Sequence, residues 1–176
     1  MDWDAEFTLF VRESADALYR TAWLLVGERA GASDLVQDTL THLYVRWDKV
    51  LEARIPGAYV RRAMINRFLS QARHAKASEV VVADVPDAGL ADPGMVQVLD
   101  RAMIAGPLAA LPPRQRAAIT LRYYEDLSDR DAARAMGCPV LTLRSHVRRG
   151  LAALRAQLDG AEQGRVGTGQ EPRRVR

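Results

Sequence analysis

Three sets of side chains in this 176-residue chain have the types and spacing to do chemistry, and in each case the chemistry is binding. On the segment 58–76, Tyr59, Arg62, Asn66, Ser70 and Arg73 recur at steps of three and four, opposite an apolar row of Val60, Met64 and Phe68. An aromatic ring, two guanidinium groups, an amide and a hydroxyl on one stripe can stack on a base, bond its edge and neutralise phosphates. Those are the demands of single-stranded nucleic acid. On the segment 140–158, Thr142, Arg144, Ser145, Arg148 and Arg149 lie off an apolar stripe, and no acid accompanies them. Arginine reads guanine edges bidentately in the major groove or clamps phosphates. On the segment 34–50, Asp34, Gln37, Asp38 and Thr41 share a face, away from Val36, Leu40, Tyr44 and Trp47. Acids near a helix N-terminus serve the helix dipole; they equally offer a docking patch to a basic protein.

Each set has a bland reading. Tyr59 half-buried in a core, with solubilising arginines around it, accounts for the first set taken alone. Solvated faces usually mix signs, however, and two acid-free basic segments in one chain tilt the balance towards a polyanion. The net charge of +3, from 25 Lys and Arg against 22 Asp and Glu, hides this pattern. Residues 1–53 hold ten acids and five bases, 54–76 six bases and no acid, 77–106 five acids and one base, and 140–158 four bases and no acid.

Catalytic, metal and cofactor chemistry find no support. His42, His74 and His146 lie far apart without metal-ligand spacing, and no glycine-rich phosphate loop occurs. Cys138 is the only cysteine, which excludes an internal disulfide framework or a Cys-clustered zinc site and fits a reducing cytoplasm. The longest apolar run, 22–27, is too short to cross a bilayer. The N-terminus is acidic where a secretion signal is basic, so a cytoplasmic location is expected.

The elements that must position these residues read as helical throughout. Phe7, Phe10, Val11, Leu18, Tyr19, Ala22 and Leu25 repeat at helical spacing over 5–26, and Gly27 and Gly31 punctuate. Ser33 is the expected N-cap of a helix from Asp34 to about Val50, with Val36, Leu40, Leu43, Tyr44, Trp47 and Leu51 on its buried stripe. Pro56 opens the next helix, to about Lys76. Residues 77–106, with Asp84, Pro86, Asp87, Gly89, Asp92, Pro93 and Gly94, read as a flexible acidic linker. Beyond it, Ser128 with Asp131 forms a capping box, Ala132, Ala133 and Met136 give a small-residue face, and Gly137 ends the helix. Pro139 then starts a helix carrying Val140, Leu143, Val147, Leu151, Leu154 and Leu158. The expected fold is all-α, with two small helical domains, the second a helix-turn-helix (winged-helix-like DNA-binding) four-helix unit. The boundaries are 1–76, linker 77–106, 107–158, and a disordered tail 159–176. At about 50 residues the second unit is expected to be marginally stable alone.

Together these segments resemble the sigma factors of bacterial RNA polymerase, the sigma-70 family, and within it the short extracytoplasmic-function (ECF) group. Asp34-Leu35-Val36-Gln37-Asp38-Thr39-Leu40 is similar to the region 2 segment that binds the β′ coiled coil. The run Tyr59-Val60-Arg61-Arg62-Ala63-Met64-Ile65-Asn66-Arg67 resembles the segment that engages and melts the −10 element, with Asn66 near a flipped base. Leu111-Pro112-Pro113-Arg114-Gln115-Arg116, residues 121–128 and the helix-turn-helix resemble region 4, which reads the −35 element.

The resemblance implies a polymerase-binding set of Asp34, Gln37, Asp38 and Thr41, a −10 set of Tyr59, Arg62, Asn66, Ser70 and Arg73, and a −35 set of Thr142, Arg144, Ser145, Arg148 and Arg149. It implies as partners core RNA polymerase, through its β′ and β subunits, promoter DNA and a cognate anti-sigma factor. It implies no enzymatic chemistry and no cofactor. The chain departs from the family at Pro139, where a side-chain cap is usual, and at Leu141, where glycine is usual; Leu141 is expected to meet a thymine methyl. The acidic linker is expected to follow a basic channel of polymerase. Two other readings stay open on the residues alone, a dimeric helix-turn-helix regulator of operator duplex and a helical protein-interaction adaptor.

Overall fold

The computed structural model describes residues 3–77 and 104–166, and those residues are helical apart from short turns. The linker expectation for 78–103 and the last ten residues of the tail lie outside the described residues. Among the described residues there is no β-strand, and so no wing beside the helix-turn-helix. None of their helices is long and apolar enough to cross a membrane.

The first unit holds four helices: α1 (Trp3–Val26), α2 (Arg29–Tyr44), α3 (Trp47–Glu52) and α4 (Pro56–Ala77). Asp4 and Glu6 complement the dipole in the first turn of α1. Gly27, at φ +91°, reverses the chain into α2. The expected N-cap at Ser33 is corrected here: α2 begins at Arg29, directly after the glycine turn, so Ser33 lies inside the helix. Its end is corrected too. The helix stops at Tyr44 and α3 starts at Trp47, because the chain must turn to bury the Trp47 indole. That ring packs edge-on to Phe7 at 5.1 Å and tilted to Phe10 at 5.1 Å.

The buried face of α2 also differs from expectation. Ala32, Leu35, Thr39 and Leu43 are the residues in the core, while Tyr44 and Leu51 are exposed. A buried threonine breaks the apolar pattern in the sequence, yet costs little here, because its Oγ1 donates to the Leu35 carbonyl at 2.7 Å. On α4, Val60, Met64 and Phe68 are buried as expected, joined by Ile65 and Leu69.

The second unit comprises a helical stretch over 104–109, α5 (Pro113–Ile119), one π-helical turn (Thr120–Tyr124), α6 (Asp129–Met136) and α7 (Val140–Val166). Ser128 caps α6 by accepting from the Asp131 amide at 3.1 Å. Gly137 closes it in the left-handed conformation, φ 61° and ψ 40°. The Cys138 amide reaches the Ala133 carbonyl and the Gly137 amide the Arg134 carbonyl, completing a Schellman turn. Helix α7 continues eight residues past Leu158, so the first part of the segment expected to be disordered is helical; Asp159, Ala161, Glu162 and Gln163 are compatible with that.

The two units pack on each other. Ala117, Ala118, Ala132, Ala133 and Ala135 of the second unit are buried beside Leu121, Met136 and Leu143, and alanine buries little area per residue. They share one continuous core with Leu25, Leu35, Met64, Ile65 and Phe68 of the first. A unit expected to be marginal alone thus borrows large side chains from its neighbour, chiefly where α6 lies against α4.

Candidate nucleic-acid and polymerase interface

The stripe expected to meet the −10 element is gathered around one depression. Tyr59, Arg62, Asn66, Ser70 and Arg73 all line a cleft of about 690 Å³ beside α4, whose other wall is Asp38 and His42 of α2. Arg62, Asn66 and Arg73 are exposed, whereas Tyr59 and Ser70 are half-buried. Their helical spacing puts them on one side of α4; the packing of α2 against α4 supplies the second wall.

Sequence spacing missed four polar residues of this cleft, His42, Arg67, Gln71 and His74, besides Ala63. Arg67 and His74 each follow a stripe residue, so a widened stripe would have included them. His42 comes from another helix, which no local signal reveals. Burial, then the charges of Arg46 and Arg67, lowers the His42 pKa from its ordinary value, with Asp38 opposing. The cleft therefore presents a neutral imidazole among guanidinium groups. Its one carboxylate, Asp38, is consumed by Arg67, which donates from Nε at 2.7 Å and from an η nitrogen at 2.6 Å. Gln71 donates to the same carboxylate at 3.3 Å.

The polymerase set is split by the same packing. Gln37 and Thr41 line a second, apolar groove of about 590 Å³ between α1 and α2, with Phe7, Tyr19, Val36, Leu40 and Tyr44. Asp34 is exposed but outside that lining, and Asp38 faces α4. The four residues do not form one patch. Tyr44 donates its hydroxyl to Asp4 at 2.9 Å, a bond that raises the phenol pKa and ties α1 to α2 at the groove.

On α7, Thr142, Arg144, Arg148 and Arg149 are exposed and Ser145 is half-buried. Leu141 stands 78% exposed on the same surface. Asp129, at the start of α6, bridges Arg144 and Arg122, each at 2.7 Å. The hydrogen bond from Arg144, aided by the charge of Arg122, holds that carboxyl below its ordinary pKa. His146 is lowered by burial and by Arg114 and Arg149. The face can present cations to a duplex, with Arg144 pre-oriented by Asp129. Among the described residues no group of His, Cys, Asp and Glu could hold a metal ion.

Comparison with known proteins agrees with both units. The family model described as sigma-70 region 2 matches residues 10–78, and that described as sigma-70, region 4 matches residues 104–154. The RNA polymerase sigma-E factor of Streptomyces avermitilis is 38% identical over 157 residues, covering 89% of this chain and 87% of the relative. The ECF RNA polymerase sigma factor SigL of Mycobacterium tuberculosis is 30% identical, covering 83% of this chain and 85% of the relative. Among solved structures, the sigma factor RpoE of Bartonella quintana, in complex with the anti-sigma factor NepR, superposes with a TM-score of 0.68 at 28% identity. The match covers 88% of this chain and 97% of that one. CnrH, solved with the cytosolic domain of CnrY, shares the fold at a TM-score of 0.63 and 22% identity.

A stand-alone helix-turn-helix regulator or an adaptor does not account for the region 2 match. With both regions matched in order along one chain, it belongs to the ECF group of sigma-70 RNA polymerase sigma factors, which bind core polymerase and direct promoter-specific transcription initiation.

Proposed function

We propose that the two units divide promoter recognition between an opened strand and a duplex. In this scheme Tyr59, Arg62, Asn66, Ser70 and Arg73 receive the non-template strand of the −10 element. Tyr59 stacks on a base, Asn66 bonds the edge of a flipped base, and the arginines hold phosphates. Capture offsets an unpairing and unstacking cost of roughly a few kcal/mol per flipped base. Thr142, Arg144, Ser145, Arg148 and Arg149 dock on the −35 duplex, with Leu141 against a thymine methyl. Gln37 and Thr41, in the groove between α1 and α2, meet the β′ subunit, with Asp34 at the outer edge. Asp38 contributes by holding Arg67.

The observation that supports this reading best is the convergence of all five stripe residues on one cation-lined cleft. The protein acts by binding, without chemistry of its own, in the cytoplasm beside core polymerase. The anti-sigma complex of a relative with the same fold supports a cognate anti-sigma factor as its regulator. Run-off transcription tests the function. Core polymerase with this chain should start discrete transcripts from a subset of genomic promoters, and the transcripts should vanish as salt rises. No promoter-specific transcript with any genomic fragment would sink the assignment. Duplex binding that needs no core polymerase would favour an operator-binding regulator instead.

A further inference from the structure

The wall of the cleft opposite the stripe comes from α2, and His42 is its titratable member. Asp38, His42 and Arg46 recur at steps of four, so all three stand on one face of that helix. His42 is half-buried and lines the same cleft as Tyr59, Arg62, Asn66, Ser70 and Arg73. One η nitrogen of Arg46 lies 2.8 Å from its Nδ1 and 2.9 Å from its Nε2. A guanidinium only donates, so the ring must offer it a bare lone pair, which a doubly protonated imidazole lacks. In the free chain the geometry therefore requires a neutral His42, with Arg46 as its donor.

The surrounding charges act in the same direction. Burial lowers the His42 pKa first, then Arg46 and Arg67, while Asp38 opposes them. Asp38 opposes weakly because it already accepts from Arg67 and Gln71. Arg62 and Arg73 of α4 line the cleft too, together with His74 and the Tyr59 phenol. In the other groove of α2, Asp16 of α1 is the facing charge, and the charges of α3 nearest in the chain are Asp48 and Lys49. Guanidinium groups thus outnumber the one carboxylate of the cleft lining, and a further cation is disfavoured. A nucleic-acid strand reverses that balance. Each phosphate brings a negative charge, and an opposite charge within about 4–6 Å favours the charged form of a titratable group roughly tenfold or more.

We propose that His42 is a further strand-contacting residue, which takes a proton from solvent as a phosphate enters the cleft and bonds that phosphate as an imidazolium. The inference rests on the promoter-recognition reading above, and it adds a contact from α2 to a site otherwise assigned to α4. In the bound state both ring nitrogens carry hydrogen, so Arg46 no longer donates to the ring and its η nitrogen is freed. No covalent bond between heavy atoms changes; up to one proton passes from water to the ring for each strand captured.

The sign of the linkage follows. A strand that raises the affinity of His42 for protons is itself bound more tightly when protons are abundant. Affinity should be highest at low pH and should fall as pH rises through the bound-state value, by at most about tenfold per pH unit for one proton. The free-chain value lies below 6.5 and the bound value above the free one, so a range of about pH 6 to 8 contains the change.

The test uses holoenzyme, core polymerase with the full chain. The probe is a rhodamine-labelled oligonucleotide carrying the non-template strand of the −10 element from a promoter found by run-off transcription. Fluorescence anisotropy at fixed ionic strength should show the parent binding about fivefold more tightly at about pH 6 than at about pH 8. His42→Gln should keep the weaker, high-pH affinity across the range, and His42→Arg should keep the tighter, low-pH affinity across it. A side chain that merely supported the fold would not make a neutral and a cationic replacement flatten the profile at opposite ends. His74→Gln should retain the parent's slope. A parent affinity independent of pH, a His42→Gln protein with the parent's slope, or a His74→Gln protein that loses it would each overturn the assignment. Absence of strand binding at every pH strikes the promoter-recognition reading and this inference with it, whereas a strand bound without pH dependence strikes the inference alone.

Discussion

Arg67 on α4 clamps Asp38 on α2 in a two-point hydrogen bond, at 2.7 Å and 2.6 Å, so the residue expected to face polymerase instead braces the wall of the cleft between α2 and α4. Both side chains are about a third exposed, and the pair is worth the upper end of a surface ion pair, about 1 kcal/mol. Asp38→Asn should lower Tm by roughly 2–4 °C, given the usual scaling for a chain of this size. Gln37→Ala and Thr41→Ala have no such cross-helix bond to lose and should leave Tm unchanged while weakening core binding. Thermal melting paired with a core-polymerase pull-down separates the two effects; an Asp38→Asn protein with unaltered Tm would deny the bracing role.

Asn66 is exposed at the cleft and no side-chain hydrogen bond anchors it within the first unit's core. Asn66→Ala should therefore fold normally and still deliver polymerase to promoter duplex. It should reduce open-complex formation by about fivefold to 150-fold, the cost of about one lost base-edge contact of roughly 1–3 kcal/mol. Permanganate reactivity of promoter thymines reads the opened strand, and an electrophoretic shift reads duplex docking. Equal loss in both assays tells against Asn66 as a base-capture residue.

Asp129 occupies Arg144 in the free chain. Asp129→Asn should release that guanidinium and remove one negative charge from the DNA-facing surface. Duplex binding by the holoenzyme should become less selective for the −35 sequence, and the slope of log affinity against log salt should steepen by up to about one. The helix α6 also loses an anion at its N-terminus, so a small fall in Tm accompanies the change. A variant with the parent's selectivity and salt slope would mean that Arg144 does not meet DNA.

His42 and His146 both have pKa values lowered from the ordinary 6.5, each first by burial and then by neighbouring arginines. Below 6.5 the unfolded chain binds protons more readily than the folded one at these sites. Stability should then fall as pH drops through 6.5 and continue falling until the folded-state values are reached. Asp129, also lowered, acts with the same sign, but its contribution is lost only in the more acidic carboxylate range. Melting curves between about pH 7.5 and 5.5 should show the decline. The double variant His42→Gln with His146→Gln should flatten it; an equal slope in that variant assigns the effect elsewhere.

Much of the molecule was legible from local rules. The glycine at 137, the Ser128–Asp131 cap and the apolar steps from Val140 to Leu154 specify a helix-turn-helix because each acts within a few residues of itself. The −10 stripe was legible for the same reason, since helical spacing alone sets which side chains of α4 share a side. The start of α2 was not, because the Gly27 turn lets the helix begin before the better cap at Ser33. Its buried face was not, because Thr39 satisfies its hydroxyl on the Leu35 carbonyl and passes for core. Asp38 looked free for a partner because nothing in the sequence measures the register of α2 against α4.

The sequence by itself determined two amphipathic helical units, where acidic and basic segments fall along them and which side chains share a helix face. These follow from periodicity, capping and composition, which are properties of short stretches. Only the tertiary structure decided that Asp38 belongs to Arg67, that His42 walls the cleft, and that Glu125 reaches across to Thr21 and Arg61. Those pairings join residues 29 to 104 positions apart, and their geometry depends on how helices pack, which no local rule encodes.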